Sequence, residues 1–334
     1  MKIIFDLRNV GLGDNGGSLT LVQSGNTLLE MGNEVVFIDY AKNQHTWTSL
    51  KAEHIIVKNK KQIPDADIIL ATGYKSVLQT VNAPDRCGLK AHWLRGWETW
   101  QMSELEIVNK ILAAPTIKFV NSFCLKEKLN QYGVVSIILR PGYDFDKLFF
   151  RNQRTITPPI ILGGLYTKGK HENTKRTSWI FKTYEYLKKK GYKVELWMFG
   201  NIPKQEKNID LYVYKPSIEK KNWFYNHIDI WLAPTMLEGL HMPPAEAMLT
   251  QCPVVSTNAP MSGTQDYMEH HKTGIVADNN LDSFIKSVEY LCTKAVLRKK
   301  MGIRAKQKII SLGNRKTNMQ KFVRYVQKLK EIKK

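Results

Sequence analysis

The sequence predicts an α/β protein made of two doubly wound, Rossmann-like domains. Short β-branched segments alternate with segments of helical periodicity along the chain, which is the pattern of repeated β-α-β units and parallel sheets. The alternation stops in a proline-containing stretch, 141–159, and then starts again. The length of 334 residues also favours two domains over one.

The first half contains the strands and the crossover helix of one such domain. Leu21, Val22, Leu28 and Leu29 recur at near-helical spacing between the first two strands, and Gly32 ends this helix. Ligands of doubly wound sheets bind outside the carboxyl ends of the strands, so functional residues are expected in the loops that follow them. The candidate strands are residues 2–7, 34–39, 54–58, 67–73, 90–95, 117–122 and 135–139.

A domain boundary is predicted near residue 150. The stretch 141–159 has mixed polarity and no clean period, and a second series of strands follows it, beginning with IILGGLY. Residues 1–150 are therefore expected to form an N-terminal domain and residues 151–334 a C-terminal domain. Two such domains would face each other across a cleft.

Composition excludes several classes of protein. The chain is 43% apolar, 10% aromatic and 24% charged, which is globular rather than disordered or fibrous. No apolar run is long enough to span a bilayer, and Asp6 lies where a signal peptide needs an apolar core, so a cytoplasmic protein is expected. Cys87, Cys124, Cys252 and Cys292 form no C-x-x-C pair, which favours buried thiols over a zinc site or disulfides.

The net charge of +20 is concentrated in the second half of the chain. Residues 1–150 contain 17 Lys and Arg against 15 Asp and Glu, whereas residues 151–334 contain 33 against 15. The last stretch, 294–334, contains 15 basic residues and the single acid Glu331. We therefore expect the C-terminal half to meet an anionic partner.

A glycine-rich loop follows the first strand. Gly11, Gly13 and Gly16 form a literal G-x-G-x-x-G, and Asp39 ends the second strand, where a dinucleotide-binding fold places a ribose-binding acid. The loop is longer than that fingerprint, which weakens the dinucleotide interpretation. Gly16 and Gly17 also leave backbone N–H groups open to an anion at a helix N-terminus, with a plain loop cap as the alternative.

Two Asp-x-Asp pairs are candidates for a divalent metal site against a diphosphate. Asp65 and Asp67 precede their strand instead of following it, and Asp144 and Asp146 lie in the stretch between the domains. Both pairs are better explained as solvated turn carboxylates. No metal or other cofactor is expected.

The most specific stretch is 231–258, which reads as strand, loop, helix, turn and strand. Its proline pair suits a first helical turn, so Glu238 is expected on the loop and Glu246 on the helix. A carboxylate that accepts from two vicinal hydroxyls gains about 1.5 to 3 kcal/mol per hydrogen bond. Both carboxylates, the Gly239–Leu240 backbone and a helix N-terminus should converge at one edge of the sheet.

This stretch resembles the retaining glycosyltransferases of family 4, the group 1 glycosyl transferases, which have GT-B architecture. Their E-x7-E element is matched by Glu238 and Glu246, and looser similarity extends to Gly16–Gly17, PGYDFDKLF, IILGGLY and TGIVAD. The resemblance implies that Glu246 holds the ribose hydroxyls and that Glu238, the predicted catalytic residue, lies against the donor sugar. It also implies that the amides of Gly239 and Leu240 receive the diphosphate or the sugar.

A leaving nucleoside diphosphate needs positive charge, which the family normally supplies as an Arg and a Lys after the first strand of the C-terminal domain. Gly164 occupies the Arg position here, and the basic loop that follows is longer, so the alignment is ambiguous within 168–176. Lys170 and Lys175 are the predicted basic donor-binding residues. The other predicted donor-binding residues are Gly16, Gly17, Gly239, Leu240 and Glu246. A solvated basic loop is the alternative.

Residues 91–100, AHWLRGWETW, are the candidate acceptor-side element of the N-terminal domain. His92, Arg95 and Glu98 lie here among three tryptophans, and aromatic faces beside hydrogen-bonding groups suit sugars. The element is similar to that of rhamnan-type members of the family, with core tryptophans and an exposed loop acid as the alternative. The resemblance also implies that the last helix, 317–333, packs back on this domain.

The function predicted from this resemblance is a retaining, metal-independent glycosyltransferase of the hexosyltransferase type. It would move a sugar from a UDP, GDP or dTDP sugar to a glycan or lipid-linked acceptor in cell-surface polysaccharide synthesis. Front-face transfer needs no protein nucleophile, in keeping with the lack of a Ser/His/Asp constellation in the sequence. An anionic membrane surface, reached from its inner face, is a further expected partner, whereas nucleic acid is not.

Two alternatives remain open at this point. An NAD(P)-dependent oxidoreductase would use Gly11, Gly13 and Gly16, but it leaves the second α/β series and the glutamate pair unexplained. A basic nucleic-acid-binding protein would use the charge of the second half, although no nucleic-acid motif accompanies it.

Overall fold

A computed structural model describes residues 1–41, 48–151, 158–169, 172–203, 206 and 208–333. Contacts divide the chain into two compact units, unit 1 with Met1–Gly142 and Asn314–Lys334, and unit 2 with Tyr143–Gly313. Each unit has its own parallel sheet with helices between several of its strands, which confirms the predicted fold class. The four cysteines are buried and form no disulfide with one another.

Unit 1 contains, within the described residues, a seven-stranded parallel sheet in the order β3-β2-β1-β4-β5-β6-β7. Its strands are β1 (Lys2–Asp6), β2 (Glu34–Asp39), β3 (Glu53–Ile56), β4 (Ile68–Ala71), β5 (Leu89–Leu94), β6 (Ile117–Val120) and β7 (Ile137–Ile138). Its helices are α1 (Gly16–Glu30), α2 (Tyr74–Val81), α3 (Glu104–Glu106), α4 (Phe123–Asn130) and α11 (Arg315–Lys333), and a π-helical segment, Ile107–Leu112, follows α3.

The last helix, α11, belongs to the core of unit 1. Met319, Phe322 and Val326 are fully buried in the same apolar cluster as Leu21 of α1. The rings of Phe322 and Phe119 meet edge to face, with centroids 5.4 Å apart. Burying the apolar stripe of α11 against this sheet therefore stabilises the fold of unit 1.

Unit 2 contains, among the residues described, a six-stranded parallel sheet in the order β10-β9-β8-β11-β12-β13. Its strands are β8 (Ile160–Leu165), β9 (Val194–Gly200), β10 (Leu211–Tyr214), β11 (Ile230–Ala233), β12 (Val254–Thr257) and β13 (Gly274–Ala277). Its helices are α5 (Glu172–Lys175), α6 (Thr177–Lys189), α7 (Ile218–His227), α8 (Met242–Leu249), α9 (Leu281–Cys292) and α10 (Ala295–Ser311).

The units divide after Gly142 instead of near residue 150. Tyr143 and Leu148 are buried in the core of unit 2. The backbone N–H of Phe149 donates to Asn222 of α7 at 2.9 Å, which ties the same segment to that helix. The sequence pattern placed the boundary late because these packing partners lie far along the chain.

The basic segment 294–334 does not form one surface region of one domain. Helix α10 lies in unit 2, whereas α11 lies in unit 1. The charge attributed to the C-terminal half is therefore divided between the two units. No helix in the described ranges is both long and apolar enough to cross a membrane.

Candidate active site

The candidate site in unit 2 lies where the neighbouring strands β8 and β11 end. The backbone N–H of Met236, on the loop after β11, donates to the carbonyl of Thr174 in α5 at 2.8 Å. This hydrogen bond joins the loops that follow the two strands. The Lys175 ammonium consequently forms an ion pair with the Glu238 carboxylate, although 62 residues separate them in sequence.

The backbone of Glu238 is fixed by the loop that follows β12. Its N–H donates to the carbonyl of Met261 at 2.7 Å, and the N–H of His241 donates to the carbonyl of Gly263 at 3.0 Å. Gly263 has a φ of +72°, and a Cβ there would lie 2.7 Å from Cβ of Glu238. A glycine is therefore required at position 263 for the two loops to pack this closely.

The Lys175–Glu238 pair is partly buried, and the charge of its lysine depends on pH near neutrality. Both side chains retain 21% exposure. Burial lowers the pKa of the Lys175 ammonium to about 8. An anionic ligand that reaches this lysine would compete with Glu238 for its charge.

Glu246 lies on α8, the helix that follows the Glu238 loop, and is held by α7. Its Oε2 accepts a hydrogen bond from the Tyr225 hydroxyl at 2.9 Å, and the Lys221 ammonium lies 3.8 Å from the same oxygen. Burial, followed by the nearby Glu246 charge, raises the pKa of Tyr225 well above its ordinary value, so the phenol stays a donor. The Glu246 side chain is 14% exposed, which leaves it a narrow path to a ligand.

The loop between the two glutamates is buried and contains a histidine that the sequence analysis missed. Gly239 and Leu240 are buried, as is His241, which precedes the first residue of α8. Neither ring nitrogen of His241 has a hydrogen-bond partner among the described residues. Burial, with the Lys175 charge second, lowers its pKa well below the ordinary value, so the imidazole is neutral. The sequence has no local signal for it, because its burial arises only when the loops after β8 and β11 pack.

The remaining basic residues of 168–176 differ from Lys175 in their contacts. Lys168 is exposed and lies 3.5 Å from Glu206. Arg176 donates to Asn279, and its guanidinium lies 4.2 Å from the Trp179 ring centroid. Lys170 lies outside the described residues. Gly164, the position that the family gives to an arginine, is buried within β8.

The glycine-rich loop of unit 1 is closed by an arginine from a neighbouring loop. Asn15 caps α1, and its side-chain oxygen accepts from the N–H of Ser18 at 2.9 Å. Arg95 donates to the carbonyl of Gly17, and a Cβ at Gly17 would lie 3.2 Å from its Nη1. A Cβ at Gly16 would meet no atom within 4 Å, so the open side of this helix N-terminus is at Gly16.

The three predicted acceptor residues occupy different environments. His92 is fully buried within β5, and its ring meets Tyr74 edge to face at 5.8 Å. Arg95 and Glu98 follow the strand, and Arg95 also donates to the carbonyl of Thr72 at 2.6 Å. Burial lowers the pKa of Arg95 to about 10 and raises that of Glu98, which the Arg95 charge opposes. His92 therefore lies within the strand, whereas Arg95 and Glu98 lie on the loop that follows it.

Two of the three tryptophans in this element belong to the core. Trp93 and Trp97 are buried, and Trp97 stacks on Tyr132 with ring centroids 6.0 Å apart. Trp100 is exposed. Trp93 and Trp97 therefore fit the interpretation as core residues, and the exposed Trp100 fits the interpretation as a ring that faces a sugar.

The acidic residues that suggested other ligands have partners in the fold. Asp65 pairs with Arg86 at 2.8 Å, and Asp67 accepts from the N–H of Lys2 at 2.7 Å and pairs with a lysine of α11. Asp39 is buried, and its carboxylate accepts from the backbone N–H of the next residue at 2.7 Å. In the part of the chain that the structure describes, no group of three or more His, Cys, Asp or Glu residues is arranged for a metal ion.

Part of the chain matches a known protein family. Residues 163–294 match the family model described as Glycosyl transferases group 1. This range contains Lys175, Glu238 and Glu246, and the match confirms the resemblance over that part of the chain. A curated relative, the capsular polysaccharide biosynthesis glycosyltransferase CapM of Staphylococcus aureus, is 22% identical over 253 residues. That alignment covers 66% of this chain and 63% of CapM, which is less than two thirds of the relative's length.

Solved structures resemble the chain over nearly its whole length. Sucrose-phosphate synthase from Thermosynechococcus elongatus has a TM-score of 0.78 at 12% identity, covering 99% of this chain and 100% of that one. HepE of Anabaena, solved in complex with UDP and glucose, has a TM-score of 0.76 at 12% identity, with coverage of 98% and 100%. The chain has the two-domain, Rossmann-like GT-B fold.

Proposed function

We propose that this chain is a retaining, metal-independent glycosyltransferase that transfers a sugar from a nucleotide-sugar to a glycan or lipid-linked acceptor. Synthesis of a cell-surface polysaccharide is the process in which we place it, because CapM is named for capsular polysaccharide biosynthesis. The nucleotide is of the UDP, GDP or dTDP type. UDP is the first to test, since HepE was solved with UDP and glucose.

The observation that carries this proposal is the ion pair between Lys175 and Glu238 where the strands of unit 2 end, with Glu246 on the helix that follows. The lysine and the first glutamate are ion-paired, and the second glutamate is held by a phenol. Each charged group keeps a partial opening to solvent. A nucleotide-sugar has three matching parts, namely a ribose diol, a diphosphate and a sugar.

Each residue has a distinct role in the proposed reaction. Glu246 accepts hydrogen bonds from the ribose hydroxyls, and its Tyr225 contact keeps the carboxylate oriented. The Lys175 ammonium neutralises charge that develops on the leaving diphosphate. Glu238 then faces the sugar, where its negative charge stabilises positive charge at the anomeric carbon. The diphosphate oxygen takes the acceptor proton as the new glycosidic bond forms on the same face.

The pairing of Asp65 and Asp67 supports the metal-independent part of the proposal. Asp65 and Asp67 contact cationic side chains of unit 1. Lys175 supplies positive charge at the unit 2 edge instead. Turnover is therefore expected to persist in EDTA, and a loss that magnesium or manganese restores would contradict this part.

On unit 1, we propose that Arg95 and Glu98 lie on the acceptor side, with an open helix N-terminus at Gly16 beside them. The Arg95 guanidinium donates to the carbonyl of Gly17, in the same turn of α1 whose open side is at Gly16. We also propose that the enzyme works at the inner face of a membrane, where lipid-linked acceptors would be presented.

A thermal-shift panel of UDP, GDP, dTDP and ADP tests the donor proposal. A nucleotide at 100 times its dissociation constant should stabilise the fold by about 2.7 kcal/mol. Lys175→Met should lose most of this stabilisation. Lys168→Met is the matched control, because it removes the same charge from an exposed side chain of the same loop. No stabilisation by any of the four nucleotides would contradict the proposal.

A further inference from the structure

Helix α10 presents an exposed apolar line to solvent. Val296, Ile303 and Ile310 are 67%, 40% and 46% exposed. They recur every seven residues, so with 3.6 residues per turn they lie almost directly above one another. Exposed β-branched residues in register along one helix face differ from single apolar residues scattered over a surface.

Basic residues flank this apolar line on both sides. At 3.6 residues per turn, Lys299 and Lys306 lie on one side of it, and Lys300 and Arg304 lie on the other. Segment 294–311 contains no acidic residue. Lys299, Lys300, Lys306 and Arg304 form no ion pair with any other residue that the structure describes.

The opposite face of α10 accounts for how the helix packs. Met301, Ala305 and Ile309 are buried in the unit 2 core. Arg298 donates to the carbonyl of Leu291 at 2.7 Å, which caps the end of α9, and Lys308 pairs with a glutamate at 2.7 Å. The inner face of α10 thus packs against the rest of unit 2, and the outer apolar and basic residues do not contribute to this packing.

We propose that the outer face of α10 binds the surface of an anionic lipid bilayer. An apolar line between two rows of cations is the arrangement by which a surface helix places aliphatic side chains at the acyl boundary and cations among lipid headgroups. Tyr290 of α9 lies near the start of α10, since it is exposed and the Lys294 ammonium lies 5.9 Å from its ring centroid. Aromatic side chains of this kind suit a membrane interface.

The combination of cations and exposed aliphatic side chains favours a bilayer over duplex nucleic acid. Duplex nucleic acid would meet the cations, but it offers no apolar surface for the three aliphatic side chains at the centre of the face. A bilayer satisfies both. The inference deepens the proposed function by naming the surface that contacts the membrane. It rests on that function only because a lipid-linked acceptor is the reason for the protein to bind a membrane.

Vesicle sedimentation of the full chain tests the inference, with phosphatidylcholine vesicles compared with phosphatidylcholine vesicles that contain phosphatidylglycerol. Binding is expected only to the second kind and should fall at high salt. Each cation near an anionic surface is worth about fivefold in partitioning, so the double variant Lys299→Gln with Lys300→Gln should bind about thirtyfold more weakly. Ile303→Ser should weaken binding severalfold.

Matched controls keep the result specific to this face. Lys321→Gln with Lys328→Gln removes the same charge from exposed positions of α11 and should change binding less than threefold. Val135→Ser removes a fully exposed aliphatic side chain from unit 1 and should change nothing. Equal binding to both vesicle types, or equal losses in the α10 and α11 variants, would overturn the inference. No nucleotide is present in this assay, so its failure is distinct from failure of the thermal-shift panel.

Discussion

The two units use the charged residues at the ends of their strands in different ways. In unit 1, Arg95 donates to the backbone carbonyls of Gly17 and Thr72, and His92 is buried within its strand. In unit 2, Lys175 and Glu238 contact each other through their side chains and remain partly exposed. Charges that bind backbone carbonyls hold loops in place, whereas charges paired with each other can exchange their partner for a ligand.

This difference also has an energetic side. A guanidinium that satisfies two carbonyls contributes to folding, because each hydrogen bond from a charged group is worth about 1.5 to 3 kcal/mol. A partly buried ion pair loses hydration that its mutual attraction only partly offsets. We therefore expect substitutions at the unit 1 edge to lower stability and substitutions at the unit 2 edge to lower activity.

The largest expected effect is that of Lys175→Met on turnover. Removing one charge-stabilising group from a leaving-group site costs roughly a hundred- to a thousandfold. Initial-rate kinetics should show this loss in kcat/KM for the donor, while circular dichroism shows an unchanged fold. Lys168→Met should stay within twofold of the wild type, and a comparable loss in that control would mean that general loop charge matters rather than Lys175.

Glu238→Gln should lower kcat by roughly ten- to a hundredfold and leave the donor KM nearly unchanged. The carboxylate is expected to act where positive charge develops during transfer, so its loss affects the transition state more than donor binding. Glu206→Gln, at a half-exposed glutamate of the same unit, is the control. A rise in donor KM without a fall in kcat would assign Glu238 to ground-state binding instead.

The pKa of Lys175 predicts a specific pH dependence. The ammonium, with its pKa lowered by burial to about 8, is charged below that pH and neutral above it. Donor kcat/KM should therefore be constant below pH 8 and fall about tenfold per pH unit well above it. Lys175→Arg should keep its charge and lose this alkaline limb. An alkaline limb that persists in the arginine variant would show that another group titrates.

The smallest catalytic effect is expected from Arg95→Lys. The lysine keeps the charge but lacks the planar fork that reaches both Gly17 and Thr72, so the midpoint of thermal unfolding should fall by several degrees. The donor KM should remain within twofold. An unchanged unfolding midpoint would remove the contrast between the two edges.

The fold was predictable where the pattern is local. The second strand was predicted over residues 34–39 and is found at Glu34–Asp39. The fourth was predicted over 67–73 but ends at Ala71, because the residues that follow turn into the start of α2. The late domain boundary has a non-local cause, since nothing in the sequence near Tyr143 shows that its side chain packs into unit 2.

The candidate site was also predictable only where its contacts are local in sequence. Glu238 and Glu246 lie on one strand-loop-helix segment, so their relative placement follows from local structure. The Lys175 contact depends on the Met236–Thr174 hydrogen bond between two separate loops, which the sequence does not encode in any local pattern. His241 was missed for a similar reason, because its burial beside Lys175 arises only when those loops pack.

The affinity of Glu246→Gln for a nucleoside diphosphate tests the central claim most directly. Isothermal titration should be done with the nucleotide that stabilises the wild type most strongly, using Glu219→Gln on α7 as the folded, exposed control. Loss of the charge-assisted contacts to the ribose should weaken binding by roughly ten- to a hundredfold, with the fold and the control unchanged. An unchanged dissociation constant in a folded Glu246→Gln protein would contradict the placement of the donor at this edge of unit 2.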